Sequence, residues 1–286
     1  MNVEFQERER KWWRRDRTAA PKQIVLILAA LAILLPGYFL LITPFKTQAG
    51  YSLSKLGFPW PIYLGNFVTA LRGGRFFLWF GNSILLVVGA VLLSTAVAAL
   101  AAFAFARMDF RGRNPLLSVI TALMVIPPVV MIIPMFLFLS RLGLTSTYPA
   151  IILIYAGLVT PFSVYLLTNF FKTVPHEIVE SALIDGASSL GILVRILLPL
   201  SAPALMTMVV VNALWVWNDL LIALVLLPQD DMRTLMVGIT VFGARFNADV
   251  PVTMAGMLMA SLPMFLLYLF GQQYFTRGLV AGAIKG

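Results

Sequence analysis

Residues 76–106 read FFLWFGNSILLVVGAVLLSTAVAALAAFAFA, and no charged side chain interrupts them between Arg75 and Arg107. The hydrocarbon core of a bilayer is about 30 Å thick, and a helix of about 20 mostly apolar residues crosses it. Because hydrocarbon offers no water to bond backbone amides, a segment that crosses it must satisfy those amides internally. The run therefore predicts a membrane-spanning helix within an all-α fold.

Five further stretches have the same apolar character. They are 24–44, two helices inside the run 114–171, 202–227 and 250–276. In the run 114–171 the only charge is Arg141, which marks the expected turn between its two helices. The sequence therefore predicts an all-α polytopic membrane protein with six transmembrane helices.

The composition of the whole chain agrees with a bilayer environment. The 286 residues are 60% hydrophobic and 12% charged, with a mean hydropathy of +0.91. Soluble domains carry about 25% charged residues, so this chain has too few polar side chains to cover its surface in water. The net charge of +9 does not indicate nucleic acid, because no basic stripe is interleaved with stacking aromatics.

The distribution of basic residues predicts the orientation in the membrane. If the N-terminus is cytoplasmic, fourteen of the 21 lysines and arginines fall in cytoplasmic segments and seven in external ones. Cytoplasmic loops carry the basic excess, so both termini are expected in the cytoplasm.

Three regions follow from this topology. They are a basic cytoplasmic segment, 1–23, a transmembrane domain, 24–276, and a cytoplasmic tail, 277–286. The basic segment, with Trp12 and Trp13, either lies on anionic lipid headgroups or forms a disordered tail. The first span is longer than the apolar region of a cleaved signal peptide, which favours a retained helix.

Residues for catalysis or cofactor binding are not grouped in this sequence. There is no cysteine, the single histidine, His176, lies in a polar loop, and no GxxxxGK[ST] phosphate loop occurs. We therefore predict no enzyme activity, no catalytic residue, no metal site and no cofactor. Asp219 is the only ionisable residue inside a span, so a proton-coupled secondary carrier is the alternative. A structural membrane subunit is a third possibility.

The loop between the fourth and fifth spans, about residues 171–200, has the most unusual pattern. Pro175 suits the first turn of a helix, and Glu177 and Glu180 favour its positive N-terminal end. Gly186 permits a sharp turn that ends this helix. The pattern predicts a short helix, a turn at Gly186 and a second short helix.

Apolar residues of this loop suggest a contact surface. Ile178, Ala182 and Leu183 are spaced to share one face of the first short helix. A helical knob of this kind is shaped to dock into a groove of a partner protein. The alternative is an amphipathic helix that lies on the membrane.

The same loop resembles the signature loop of ABC-importer permeases, which reads EAA, then DGA, then IxLP. The matching residues are Glu180-Ser181-Ala182, Asp185-Gly186-Ala187 and Ile196-Leu-Leu-Pro199, with Ser181 in place of the first alanine of the signature. Four other stretches resemble maltose-type sugar permeases of this family: 103–113, 142–148, Trp217-Asn218-Asp219 and Arg277-Gly-Leu-Val-Ala-Gly-Ala-Ile-Lys-Gly286.

The resemblance implies a type I ABC importer permease fold for the transmembrane domain, 24–276, in the inner membrane of a bacterial or archaeal-type cell. It also implies a set of partners. These are a second homologous permease subunit, two ATP-binding subunits that bind the ATP, an extracytoplasmic sugar-binding protein, membrane lipid and a sugar or oligosaccharide substrate. It also implies two groups of ATPase-contacting residues. The coupling group is Glu180, Ser181, Ala182, Asp185, Gly186 and Ala187, and the tail group is Gly278, Leu279, Ala281, Gly282, Lys285 and Gly286.

Two further expectations concern the external side and the substrate. The segment 228–249 is implied to reach into the binding protein, and the alternative is a helix that covers the outer mouth. Sugars are recognised by aromatic faces with convergent polar groups. The candidates are Asn82, Tyr155, Asn212, Trp215 and Asn218, for which a place in an aromatic belt, in helix packing or in interhelical hydrogen bonds is the alternative.

Overall fold

The structure is a computed structural model that describes the backbone of residues 19–72, 75–245 and 249–283, and the side chains of residues 21–72, 75–241 and 249–272. Within these ranges every regular element is helical. In chain order the α-helices are α1 Ala19–Ile42, α2 Gln48–Leu53, α3 Gly65–Arg72, α4 Phe76–Arg107, α5 Arg113–Ala122, α6 Pro128–Arg141, α7 Tyr148–Thr173, α8 His176–Ile184, α9 Ser189–Leu200, α10 Ala202–Asn218, α11 Leu221–Leu226, α12 Leu235–Arg245 and α13 Val250–Ala283. Short 3₁₀ turns follow α1 and α5, and α9 contains a π-helical turn at Leu193–Leu197.

Four of the described helices are long and apolar enough to cross a membrane. They are α1 with its 3₁₀ turn, α4, α7 and the part of α13 that covers Val250–Gln272. Two bent helix pairs, α5 with α6 at 98° and α9 with α10 at 80°, also meet these criteria when each pair is taken together. Counting each bent pair as one span gives the six spans that the sequence predicts.

The bend between α5 and α6 has its cause in two consecutive prolines. Ile126 and Pro127 are both extended, with ψ angles of 117° and 127°. A residue that precedes a proline is disfavoured in the α-helical region, and Ile126 and Pro127 both precede one. The predicted third span is therefore two helices rather than one continuous helix.

The predicted fifth span, 202–227, is also interrupted, at Asp219. This residue is extended, with ψ of 128°, and α10 ends just before it. The Asp219 carboxylate accepts the N–H of Ala223 at 3.0 Å and so caps the start of α11. Apolar composition suggested one helix, and the structure corrects this because an aspartate that bonds a nearby backbone amide competes with helix continuation.

The centre of the bundle is the pair α4 and α7, which contact each other along most of their lengths. Ala90, Ala98 and Ala102 of α4 are completely buried there. Without a hydrophobic effect between helices in lipid, small residues favour association because they let backbones approach closely. The alanines in the uncharged run thus determine where α7 packs, and α10 packs against both helices.

Two apolar clusters fill the two ends of the bundle. The end at which α4 begins and α12 lies, the α12 face, has its cluster around Tyr155 and Trp217. The opposite end, at which α4 ends and α8 lies, the α8 face, has its cluster around Phe171, Leu197 and Met208. Each end of the bundle therefore has its own packed core.

Candidate functional site

The loop on the α8 face begins with α8, which is exposed except at Val179 and Ala182. Val179 and Ala182 pack into the cluster on the α8 face, whereas Leu183 and Ile184 on the other side are exposed. The predicted shared face of Ile178, Ala182 and Leu183 is corrected by this arrangement. Ala182 packs against its own chain because its small side chain lets α8 lie close to the bundle, while Ile178 and Leu183 remain accessible.

The turn after α8 is closed by two backbone hydrogen bonds. Gly186 has a φ angle of +79°, and its N–H donates to the Leu183 carbonyl at 3.0 Å. The N–H of Ala187 donates to the Ala182 carbonyl at 2.9 Å. This pair of bonds is a Schellman motif, in which glycine occupies the left-handed position without steric cost. The predicted turn at Gly186 is therefore confirmed.

The second short helix, α9, starts immediately after this turn. The Ser188 hydroxyl caps it by accepting the Gly191 N–H at 3.2 Å. Glu180 and Asp185 are exposed beside the exposed apolar residues Ile184 and Leu190. The loop thus presents carboxylates and apolar side chains together on a rigid turn, which is suited to contact with a basic and apolar groove of another protein.

Arg107, the last residue of α4, ties this loop to the bundle. Its Nη2 donates to the carbonyls of Phe171 and Val174, both at 2.6 Å, where α7 ends and α8 is about to begin. The last carbonyls of a helix lack partners and carry partial negative charge, so a cation is favourable there. Sequence reasoning did not assign this role, because a basic residue at the end of a span is equally explained by the cytoplasmic charge bias.

A buried polar layer separates the two apolar clusters. The hydroxyls of Ser94 and Ser163 lie 3.2 Å apart, and Thr160 donates to Ser94 at 3.1 Å. Asn212, a predicted sugar contact, donates from its Nδ2 to the Ser163 hydroxyl at 2.8 Å. The layer joins α4, α7 and α10, so the structure places Asn212 in interhelical hydrogen bonding.

Asn82, another predicted sugar contact, holds the loop between α11 and α12. Its Nδ2 donates to the carbonyls of Asp231 and Arg233 at 2.8 and 3.0 Å, and its Oδ1 accepts the Tyr148 hydroxyl at 2.9 Å. The Asn82 side chain is buried, and its amide is occupied within the chain. Its position fixes the loop on the α12 face.

Tyr155, Trp215 and Asn218 lie together around the break at Asp219. The Tyr155 hydroxyl, fully buried, donates to the Asp219 Oδ2 at 2.8 Å, and its ring lies edge-on to Trp215 with centroids 6.2 Å apart. Trp215 and Asn218 are exposed on one side of α10. Of the five candidates, only these two have exposed side chains, and the Asn218 Nδ2 donates to the Leu214 carbonyl at 2.8 Å. All five stay predictions as sugar contacts. Among the described residues no group of three or more His, Cys, Asp or Glu forms a metal site.

The described part of the segment 228–249 packs on its own chain through its buried residues, whereas Gln229, Asp231 and Thr240 are exposed. Trp79 donates from its Nε1 to the Asp230 carbonyl at 2.8 Å, and the Leu235 N–H donates to the Ser83 hydroxyl at 2.8 Å. Leu235 and Ile239 of α12 are buried. These contacts are those of a helix that covers the bundle, and insertion into a binding protein stays a prediction.

Gly238 provides a test of this packing. A Cβ atom at Gly238 would lie 2.2 Å from the ring of Trp79, which its own hydrogen bond to Asp230 restrains. Gly238→Ala is therefore expected to destabilise the chain by about 1–3 kcal/mol, the usual cost of overpacking. The measurement is the thermal unfolding of the purified protein in detergent.

The matched control is Gly81→Ala in α4, where an added Cβ meets nothing within 4 Å. Alanine there removes a glycine from a helix interior and should be neutral or stabilising by up to about 1 kcal/mol. Equal unfolding temperatures for the two variants would contradict the close approach of α12 to Trp79.

The predicted tail continues the last helix. α13 runs without a break through Ala283, so residues 277–283 are helical. The side chains from residue 273 onward lie outside the described residues, as do Lys285 and Gly286 and the basic segment up to residue 18. The ATPase contact of the tail stays a prediction.

The chain is similar to a known protein family and to individual transport proteins. Residues 94–277 match the family described as "binding-protein-dependent transport system inner membrane component". A putative ABC transporter permease of Caldicellulosiruptor sp. (strain Rt8B.4) is 40% identical over 267 residues, which are 92% of this chain and 96% of that protein. The melibiose/raffinose/stachyose import permease MelC of Bacillus subtilis (strain 168) is 33% identical, over 96% of this chain and 100% of MelC.

A solved structure agrees with this similarity. A chain of the crystal structure of a bacterial ABC transporter involved in the import of the acidic polysaccharide alginate superposes with a TM-score of 0.81 at 25% identity. The match covers 92% of this chain and 98% of that one. The chain thus shares its overall fold with a chain of an ABC transporter.

Proposed function

The chain belongs to the family of binding-protein-dependent transport system inner membrane components, and from this premise we propose that it is the sugar-translocating permease subunit of an ATP-driven importer. In this proposal it forms half of the pathway beside a second permease. Two ATP-binding subunits on the α8 face supply the energy, and a binding protein on the α12 face delivers the solute. The chain itself catalyses no reaction.

The observation that carries the proposal is the loop of α8 and α9. Its apolar inner side is buried in the bundle, and its carboxylates point away from it on a turn that only glycine fits easily. Glu180 offers a carboxylate to a basic residue of the ATPase subunit. A displacement of the loop by the docked ATPase subunit moves the spans as well, because α8 and α9 are packed into the bundle.

The connection from the loop to the spans has two parts. Arg107 links α4 to the residues just before α8, and Leu193 and Leu197 pack α9 into the same cluster. When the ATPase dimer closes around ATP, it displaces α8 and α9, and the bundle rotates with them. ATP acts by binding one of the two states better than the other.

The proposed substrate class is based on the substrates that the names of similar proteins state. MelC is a melibiose/raffinose/stachyose import permease, and other relatives are permeases of systems for arabinooligosaccharides and diacetylchitobiose. In this chain the exposed indole of Trp215 and the Oδ1 of the exposed Asn218 side chain, whose Nδ2 donates to the Leu214 carbonyl, are the pair that suits a sugar ring. The proposed substrate class is a sugar or oligosaccharide.

The first test measures where the energy comes from. In proteoliposomes that contain the complete complex, sugar uptake is expected to require ATP and to survive collapse of the proton gradient. Asp219→Asn should retain most of this uptake, since an asparagine oxygen still accepts the Tyr155 and Ala223 bonds. The purified chain alone should hydrolyse no ATP.

A proton-coupled carrier gives the opposite pattern. Its uptake stops with an uncoupler, and replacing Asp219 removes its proton site. The matched control is Asp231→Asn, which changes an exposed carboxylate outside the spans. Uptake that does not depend on ATP, and that is lost in Asp219→Asn but not in Asp231→Asn, would reject the ATP-driven importer.

The proposed orientation has both termini and the α8 face in the cytoplasm. The chain contains no cysteine, so single cysteines can be labelled without background. In intact cells an impermeant thiol reagent is expected to label Gln229→Cys on the α12 face but not Ser188→Cys on the α8 face. Both positions are exposed in the fold, and the reverse labelling would mean that the orientation is inverted.

A further inference from the structure

The segment between α1 and α4 displays large apolar side chains that no other described part of the chain covers. Leu53, Phe58 and Trp60 are exposed to 89%, 73% and 84% of their surfaces. Ile62 and Leu64 are also exposed. Scattered apolar residues on a surface are ordinary, but a contiguous group of this size marks a site of contact.

This segment is held in place rather than extended into solution. Lys46 is buried, and its Nζ donates to the carbonyls of Ser54 and Lys55, both at 2.9 Å. Farther along, the N–H of Tyr63 donates to the Phe45 carbonyl at 2.9 Å. The chain therefore leaves the end of the first span, forms a loop, and returns to the level of Phe45.

Asn66 closes the loop from the other side. Its Nδ2 donates to the carbonyls of Pro44 and Lys46 at 2.8 and 2.7 Å, and the Asn66 side chain is buried. The residues just after α1 thus bind both ends of the segment. These bonds fix the position of the segment along the axis of α1. Its depth in the membrane can therefore be inferred from that of α1.

One contact gives that depth. The Tyr38 hydroxyl donates to the Leu56 carbonyl at 3.0 Å. Tyr38 lies four residues before Ile42, the end of α1, or about 6 Å along a helix that rises 1.5 Å per residue. Helical side chains lean toward the N-terminus of their helix, so the hydroxyl does not reach upward past that end. Leu56 therefore lies below the end of the span, at the height of residues inside the membrane.

The charges of the segment agree with a lipid neighbour. Between Lys46 and Arg75 the sequence contains no aspartate or glutamate. Of its four basic residues, Lys46 is buried and Arg75 lies 3.7 Å from Asp230, whereas Lys55 and Arg72 are exposed. Lysine and arginine suit the phosphates of lipid headgroups, and tryptophan and tyrosine concentrate at the boundary between headgroups and acyl chains. A water-soluble partner would not contact a segment that lies below the end of α1, as the hydrogen bond between Tyr38 and Leu56 indicates.

We propose that residues 53–64 form an interfacial anchor, which inserts Leu53, Phe58 and Trp60 into the headgroup–acyl boundary of the leaflet at the α12 face. The anchor sets the height of α1, whose described side chains are almost all exposed in this chain. This role is independent of the transported solute and of ATP.

The test uses the cysteine-free chain in its assembled complex, reconstituted in proteoliposomes. Leu53→Cys and Phe58→Cys are labelled with the environment-sensitive fluorophore NBD, and Gln229→Cys, exposed on the same face, is the control. Phosphatidylcholine with a nitroxide at carbon 5 of the acyl chain serves as quencher. The expected result is blue-shifted emission at both test sites and loss of most of its intensity with the quencher, with neither change at Gln229→Cys.

Three results would overturn the anchor. Emission typical of water at both test sites means that the segment stands in solution. Blue-shifted emission that the lipid nitroxide does not quench means that the partner permease covers it. Emission that shifts only when the sugar-binding protein is added means that the segment is a docking site for that protein. Both test positions are exposed, so their substitution is expected to leave folding intact. Correct assembly of each variant is checked by its ATP-dependent uptake.

Discussion

Replacing Gly186 with proline is expected to abolish sugar uptake while the chain still inserts into the membrane. The native φ angle is +79°, whereas a proline ring holds φ near −65°. The Schellman turn cannot form, and the exposed edge of Glu180, Asp185 and Ile184 is no longer presented as one surface. ATP hydrolysis by the complex should lose its stimulation by sugar-loaded binding protein.

A graded series makes this test specific to backbone conformation. A left-handed conformation costs a residue other than glycine roughly 1–2 kcal/mol, which asparagine tolerates best. If that cost falls on the docked state, Gly186→Ala should lower its population by a factor of about 5–30, with Gly186→Asn intermediate between alanine and wild type. The control is Gly143→Ala, which has the same conformation, at φ +67°, in the turn before α7 and away from the α8 face.

The ionic part of the docking surface is tested separately. Glu180→Lys reverses a charge at the proposed contact with the ATPase, and copurification of the ATPase with the permease should fall sharply. Glu177→Lys is the control, since Glu177 is also exposed and lies one turn earlier on α8. Wild-type copurification and stimulation in Glu180→Lys and Gly186→Pro would reject the docking role of the loop.

Truncation after Thr276 is the second large effect that we expect. The removed residues include Gly278, Ala281, Gly282 and Gly286, which have little side-chain bulk and suit a narrow crevice between two ATPase subunits. Because α13 extends through Ala283, the truncation removes only the end of a helix and leaves its membrane-crossing part intact. Uptake and complex stability should fall, and the six spans should remain inserted.

A single substitution distinguishes the crevice from a frayed chain end. Gly282→Leu keeps the length of the tail and adds bulk, so it should reproduce the truncation if the tail is enclosed. A chain end in solution tolerates a leucine, and normal uptake by both variants would show that the tail is dispensable. Assembly is measured by copurification with the ATPase subunits.

Some features could be predicted from the sequence because each depends on a property of a short stretch of chain, either its apolar length or the presence of a glycine. Uncharged apolar runs have only the helix available to them in lipid, so the number and class of the spans followed from composition. The turn at Gly186 followed from the conformational freedom of glycine after an amphipathic helix. In both cases no knowledge of a distant residue was needed.

Other features depended on which residues meet across the fold. Asn82, Asn212 and Tyr155 were attractive sugar contacts in the sequence, yet their polar atoms bond to Asp231, Ser163 and Asp219, each at least 49 positions away. A polar group in an apolar environment must find a partner, and the sequence does not say whether that partner is a solute or another helix.

The sequence by itself determined that this chain has apolar stretches for six spans and a glycine turn after the short helix of its α8 face, because apolar length and backbone freedom are local quantities. Tertiary structure alone decided that Ala182 faces the bundle, that Arg107 holds the end of α7, and that Asp219 divides a span. Those outcomes depend on burial and on hydrogen bonds between helices, which arise only once α4, α7 and α10 have packed together.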